Sequence, residues 1–220
     1  MPTVSILGCG WIGQTLAEII DTNKYKVHCL SRNSEENIKE YRYSCNSLVM
    51  AIPPRDNYLE VLTQTLGQTH PDTQIILLSS ISFYDGKPSV IEAETLVQSL
   101  YDKAVVLRLG GLMGYDRIAG KYTAGKVLTS NARTNYVHRD DVVNILNNII
   151  KQNIRDEVFD IVAPVQSTKK EIFTQNAKQF GFKETEFLTG DTDGKKLSPT
   201  KLCEMLDYVF VKEDVRRFWD

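Results

Sequence analysis

The chain has 220 residues, 42% of them hydrophobic and 25% charged, enough to bury about 70–75% of the surface its unfolded form exposes and to build one substantial core. Its formal net charge of −2 gives no general attraction to nucleic acid or to anionic membranes, so neither is an expected partner and any phosphorylated ligand must be held by local groups. No apolar run approaches the ~20 residues of a membrane span, and no charged leader or apolar export segment precedes the first strand-like run; a soluble, cytoplasmic protein is expected. The four cysteines, Cys9, Cys29, Cys45 and Cys203, are scattered without C-x-x-C spacing, so reduced thiols are expected, with neither a metal site nor a disulfide framework.

The first strand-like run, Thr3–Leu7, passes directly into Gly8-Cys-Gly10-Trp-Ile-Gly13 and then into an amphipathic segment over Trp11–Asp21. A G-x-G-x-x-G pattern is a weak signal alone, but between a strand and a helix it marks a phosphate-binding turn. Gly8 would allow the tight turn, Gly10 a close backbone approach to a pyrophosphate, and Gly13 close packing of helix on strand. Ile12, Leu16, Ile19 and Ile20 recur at helical spacing and are expected on one buried face. No carboxylate occurs from Trp11 to Ala17, which leaves the helix N-terminus free for an anion. Gly8, Gly10, Trp11, Ile12 and Gly13 are the expected cofactor-binding residues of this loop, and a glycine-rich turn that binds nothing is the alternative.

The second strand-like run, Lys26–Leu30, leads into Ser31-Arg32, with no acid until Glu35. The residue closing this strand meets the adenosine ribose, where Asp or Glu accepts from the free hydroxyls of NAD. A hydroxyl and a guanidinium suit a 2′-phosphate instead, the alternative being an exposed loop arginine that stacks on adenine or does nothing. A charge-assisted contact of roughly 1.5–3 kcal/mol would favour NADP over NAD by about ten- to a hundredfold. The missing acid also argues against an S-adenosylmethionine site.

Further strand-like runs fall at Ser47–Ile52, Gln74–Ser79, Ala104–Leu109 and Glu157–Val162, and helical patterns at Asn57–Gln68, Ser89–Tyr101 and Asp140–Gln152. This alternation argues for an α/β chain with a Rossmann-like, doubly wound parallel sheet. Only residues 31–46 link the second and third runs, room for one crossover, so the sheet is expected to be shortened on that edge. Past Val162, Thr168-Lys-Lys-Glu171 reads as a capping box for a helix ending near Gly181. Ser198-Pro199 reads as an N-cap and first helical position before Thr200–Leu206. Residues 1–163 are expected to form the dinucleotide-binding domain. Residues 164–220 are expected to form a small C-terminal α/β lobe on the substrate side, compatible with one compact domain.

Three later segments carry a family resemblance. Leu77-Leu-Ser-Ser80-Ile-Ser-Phe-Tyr84-Asp-Gly86 resembles the "S-S-x-x-V-Y-G" strand end of extended short-chain dehydrogenases/reductases. Arg108-Leu-Gly-Gly-Leu-Met-Gly114-Tyr-Asp-Arg117 resembles their "R-x-x-x-x-Y-G-P-G-R" segment, and Asn135-Tyr-Val-His138-Arg-Asp-Asp141-Val-Val their "x-x-H-x-D-D-V" segment. With the glycine loop these are four ordered landmarks reaching to about residue 145, and the chain resembles a short, atypical NAD(P)-dependent epimerase/dehydratase. The resemblance implies that Ser80 hydrogen-bonds the reacting oxygen of a substrate and that Gly110 and Gly111 lie beside the nicotinamide. It implies further that Ser79 and the strand end Ala51-Ile52-Pro53 run along the cofactor, and that Arg117 and His138 belong to the substrate side. A capping serine, a solvated arginine and a loop-ordering histidine are the alternatives for Ser80, Arg117 and His138.

The family's Tyr-x-x-x-Lys pair is missing. With Glu94 aligned to the helix glutamate, its two slots hold Gly86 and Val90. Tyr122/Lys126 and Tyr208/Lys212 match only in spelling, and Tyr84, four residues past Ser80, is the best remaining proton donor by position, with a structural packing ring as the equal alternative. The expected function is therefore an NAD(P)-dependent oxidoreductase or epimerase/dehydratase-like enzyme acting on a small polar substrate, such as a nucleotide sugar. The alternative is a non-catalytic, NADP(H)-binding, redox-responsive regulator. A homodimer is compatible with the sequence.

Overall fold

The computed structural model describes residues 1–30, 44–188 and 193–220. Six strands, β1 (Thr3–Leu7), β2 (Lys26–Leu30), β3 (Ser47–Met50), β4 (Gln74–Ser80), β5 (Val105–Leu109) and β9 (Glu157–Ile161), form one sheet in the order β2-β1-β3-β4-β5-β9. The strands are parallel; β1 pairs with β2 through Ile6 opposite Cys29 and Leu7 opposite Leu30, and with β3 through Leu7 opposite Met50. Among the described residues β2 is the edge strand. Ser31 and Arg32 lie outside the described residues.

The helices are α1 (Gly13–Ile19), α2 (Tyr58–Gly67), α3 (Pro88–Leu100), α4 (Arg139–Gln152), α5 (Lys169–Phe180) and α6 (Thr200–Leu206). Side chains alternate along a strand, and the two faces of β3 and β4 are covered differently. Leu48, Met50, Ile75 and Leu77 form a core cluster with Leu62 and Leu66 of α2 and Ala93 and Val97 of α3. Gln74, on the opposite face, donates to the carbonyls of Ile149 and Ile154 at 3.0 and 2.8 Å and accepts from the Ser47 hydroxyl at 2.7 Å. An amide this deeply buried is tolerated because its oxygen and nitrogen are both engaged. Helices therefore cover both faces, the doubly wound arrangement.

The chain divides into two compact units, one of Met1–Arg108 with Val143–Phe159 and the other of Leu109–Val142 with Asp160–Asp220. In the second unit two short parallel pairs occur, β6 (Gly111–Met113) with β8 (Tyr136–His138) and β7 (Val127–Leu128) with β10 (Glu186–Phe187). Gln166 extends β8 sideways: its amide oxygen accepts from Tyr136 N, and its nitrogen donates to Tyr136 O and Ala163 O. Asp141 is fully buried and accepts from the Tyr208 hydroxyl at 2.7 Å and from the backbone N–H of Val211 and Lys212 at 2.8 and 3.0 Å. The carboxylate thereby ties the C-terminal stretch to the start of α4.

Several sequence expectations are corrected. Ile19 is 39% exposed while Ile12, Leu16 and Ile20 are buried, because α1 stops at Ile19 and the chain leaves helical geometry at Ile20. The capping box is present: Thr168 accepts from Glu171 N, Glu171 accepts from Thr168 N, and Gly181 adopts a left-handed φ of 69° at the helix end. In α6, however, helical geometry begins at Thr200 and Pro199 precedes it, with Ser198 Oγ accepting from Thr200 N at 3.3 Å. The largest departure concerns sulfur: Cys9 and Cys29 are disulfide-bonded, and Cys45 and Cys203 are free. The β1–β2 register accounts for it, since it sets Cys29 opposite Ile6, close beneath the turn that carries Cys9.

Candidate functional site

The glycine loop is built by three strand ends meeting at Gly8. Gly8 N donates to Leu30 O at 2.9 Å, and Ala51 N donates to Leu7 O at 2.8 Å. A Cβ at Gly8 would lie 2.8 Å from the carbonyl carbon and oxygen of Ala51, and its φ of +102° is itself unfavourable to other residues. A Cβ at Gly13 would lie 2.2 Å from Gly8 O, so only glycine lets α1 start this close to β1. Gly10 differs: nothing lies within 4 Å of the space its Cβ would occupy. No side chain caps α1, no acid stands in its first turn, and Ile12 occupies the N-cap position, while Gln14 N donates to Gly10 O at 2.9 Å. Trp11 is half-buried and Ile12 buried; Ala51 and Ile52 are half-buried and Pro53 is exposed.

At the end of β4 the side chains form a polar cluster. Ser79 donates to Glu94 Oε1 at 2.5 Å. Arg108, on β5, meets the same carboxylate through Nε at 3.1 Å and Nη2 at 2.8 Å to Oε2, and Glu94 is only 2% exposed. The guanidinium lies 3.5 Å from the Phe83 ring centroid and donates through Nη1 to the Tyr84 hydroxyl at 3.1 Å. Burial opposes the charge of Arg108, but the hydrogen bonds to Glu94 and Tyr84 outweigh it and hold the guanidinium above its ordinary value. Ser80 caps the 3-10 turn Ile81–Asp85, accepting from Ser82 N at 3.2 Å and donating to Ser82 Oγ at 3.1 Å. Tyr84 is 45% exposed. Glu94 and Arg108 are the residues whose part in this cluster the sequence motifs did not indicate.

In the second unit the glycine pair has a packing explanation. A Cβ at Gly110 would stand 2.1 Å from Asn135 O, and one at Gly111 2.3 Å from the Tyr136 ring. Arg117 is exposed and borders a cavity of about 470 Å³ lined also by Met113, Ile118, Tyr122, Tyr136 and Phe173. Burial pushes the Tyr136 phenol up to about 12, so it stays protonated at neutral pH. His138 is buried, with Nδ1 accepting from Asp140 N at 3.2 Å and its ring beside Phe218 and Tyr115. Desolvation lowers its basicity against the opposing pull of Asp140 and Asp141. Among the described residues no cluster of three or more His, Cys, Asp or Glu could hold a metal ion, and no helix is long and apolar enough to cross a membrane.

No protein-family model matches the chain. Protein YeeZ of Escherichia coli strain K12 is 22% identical over 97% of each chain. Among solved structures, a putative NAD-dependent epimerase/dehydratase from Methylobacillus flagellatus superimposes with a TM-score of 0.81 at 20% identity, covering 99% of this chain and 96% of that one. The fold is that of the extended short-chain dehydrogenases/reductases. The human epimerase family protein SDR39U1, solved with NADPH, gives a TM-score of 0.72 at 15% identity (98% and 97% covered). UDP-glucuronic acid 4-epimerase of Bacillus cereus, solved with UDP-glucuronic acid and NAD, gives 0.75 at 14% (98% of each).

The sequence expectation sets Gly86 and Val90 in the two slots of a Tyr-x-x-x-Lys pair. Gly86 sits in a left-handed turn before α3, and Val90 is buried in the core. Of the two spelling matches, Tyr122 is in a 3-10 turn and Lys126 beyond it, while Tyr208 is buried on Asp141 and Lys212 Nζ binds Asp220 O.

Two outcomes follow from this geometry. Gly13→Ala should destabilise the protein by about 2 kcal/mol or more, while Gly10→Ala should change stability by less than about 1 kcal/mol; equal losses in urea unfolding would contradict the packing described. His138 has a folded pKa below its unfolded one, so the unfolded state binds more protons just below pH 6.5, and the stability present above that pH falls as pH drops, by up to about 1.4 kcal/mol per unit. His138→Gln should flatten the stability profile between pH 7 and 5.5, measured against wild type by urea unfolding.

Proposed function

We propose that the chain is an NADP-dependent oxidoreductase or epimerase/dehydratase-like enzyme acting on a small polar substrate, nucleotide sugars among the class. The observation that carries this reading is the glycine loop, where two glycines are required by backbone contacts and the third borders open space at an uncapped helix start. Those features suit a pyrophosphate, whose oxygens would accept from backbone N–H groups. Two solved proteins of the same fold, holding NADPH and NAD, support a nicotinamide cofactor. Arg32 favours the phosphorylated form by charge, and Arg117 with its cavity is the part we assign to the polar group of the substrate.

A bound nicotinamide supplies or accepts the hydride. The chain's own task is then to polarise the reacting oxygen and to move a proton to or from it. Ser80 can polarise that oxygen if its hydroxyl turns from Ser82. Tyr84 is assigned the proton, because the Arg108 N–H pointing at its oxygen stabilises the anion left when the phenol gives its proton up.

Thermal unfolding with NADP, NADPH, NAD and NADH, each added singly, tests the cofactor. Saturation at about 100 times the dissociation constant should add about 2.7 kcal/mol, a rise of roughly 5–10 °C, for the NADP pair; a shift with NAD alone would overturn Arg32, and none at all would overturn cofactor binding. Once a substrate is found by NADPH oxidation, Tyr84→Phe should reduce turnover by about a hundredfold or more with the dinucleotide shift intact. Unchanged turnover would remove Tyr84 from the chemistry, and NADPH binding without turnover on any sugar nucleotide or carbonyl tried would favour the non-catalytic regulator.

A further inference from the structure

We propose that Cys9 and Cys29 are a thiol–disulfide exchange site, open to small thiols and disulfides, whose oxidised form holds the glycine loop ready for a dinucleotide. The proposal rests on the nicotinamide reading above. Cys9 is the residue between Gly8 and Gly10, and Cys29 is the penultimate residue of β2. Their Cα atoms are 5.6 Å apart, and the bond joins positions 20 apart in sequence, enclosing Gly10, Gly13 and α1. Besides the bond, Gly8 N donates to Leu30 O at 2.9 Å and so joins the start of the turn to β2. With it, the residue next to Gly10 is covalently fixed to the strand whose end leads into Ser31 and Arg32.

Proximity and exposure together single out this pair. Cys29 is exposed on β2, the edge strand among the described residues, and is bonded to the half-buried Cys9, whereas Cys45 is buried and Cys203, half-buried, is free. Desolvation pushes the Cys45 and Cys203 thiols up, so both are poor in the reactive thiolate. An incoming thiolate would attack the sulfur of Cys29, the more exposed residue of the two, forming a mixed disulfide there and releasing the Cys9 thiolate. A second thiolate then attacks the external sulfur of that mixed disulfide, releasing the Cys29 thiolate and a small disulfide; two thiols are oxidised as one protein disulfide is reduced. The reverse, with a small disulfide such as oxidised glutathione as oxidant, rebuilds the bond.

The coupling follows from preorganisation. A loop fixed with Gly10 clear loses less freedom when a pyrophosphate settles on it than one tethered by a hydrogen bond. Oxidised protein should therefore bind the dinucleotide more tightly, by roughly fivefold, and by reciprocity the dinucleotide should make the disulfide harder to reduce by the same factor.

The test uses the full chain, equilibrated with oxidised glutathione or with dithiothreitol, with peptide mapping of the bridge and NADPH and NADH titrations by fluorescence in each state. Support requires a Cys9–Cys29 bridge in the oxidised protein, tighter dinucleotide binding in that state, and a Cys29→Ser variant that binds like reduced wild type whatever the redox buffer. Equal affinity in both states, or tighter binding by the reduced form, overturns the coupling while leaving the cofactor reading intact. Absence of the bridge after oxidation overturns the exchange site itself. Failure of either state to bind any dinucleotide overturns this proposal together with the reading it rests on, and is told apart by the missing thermal shifts.

Discussion

The close approach of backbone at Gly8 is the constraint on which the loop depends. β1 lies between β2 and β3, and at its end the chain gives one hydrogen bond to Leu30 O and takes one from Ala51 N through Leu7 O. There is no room beside Gly8 for a side chain against Ala51, nor beside Gly13 for one against Gly8 O. The turn must therefore be tight and α1 must begin at once. Gly10 is left as the residue whose outer side meets nothing, so the packing that fixes the turn also leaves open space beside it.

A second fixed point is the buried pair of Glu94 and Arg108. A carboxylate 2% exposed is tenable because Ser79 and the guanidinium both donate to it. Removing one partner of such a pair typically costs about 3–5 kcal/mol, although the pair is no better than well-packed apolar residues would be. Its value here lies in orientation. With Nε and Nη2 engaged by Glu94 and the plane lying on Phe83, the guanidinium has little freedom left, and Nη1 is held toward Tyr84.

The sheet was legible because its strands are short runs of Val, Ile and Leu at regular spacing, and the predicted bounds of β1 and β2 agree with the structure to the residue. The α5 cap was legible because Thr168 and Glu171 carry their own geometry. Strands of two or three residues such as β7 and β10 leave no periodicity to detect, and their pairing is set by partners about 60 residues away. Cys9 and Cys29 fit no spacing motif; what joins them is the register of β1 on β2, which single-sequence reasoning does not supply. Glu94 was visible only as an alignment marker, since nothing along the chain reveals that a helix glutamate and a strand arginine share one buried bond.

That ion pair also bears on the missing Tyr-x-x-x-Lys pair. The family arrangement sets a phenol and an ammonium on one helix face, i and i+4. Here position 86 is outside the helix, in a left-handed turn where glycine is favoured, and position 90 points into the core, so restoring the two letters would not restore the geometry. A phenol beside a positive charge nonetheless recurs between different elements, Tyr84 on the turn after β4 and Arg108 on β5. A lysine on a helix is a mobile point charge, whereas an arginine clamped by a buried carboxylate is a fixed, directional donor. Glu94 neutralises much of the guanidinium's field, so what Tyr84 meets is chiefly the direct hydrogen bond rather than long-range charge. Direct contact demands close positional control, and the packing of Arg108 on Phe83 supplies it.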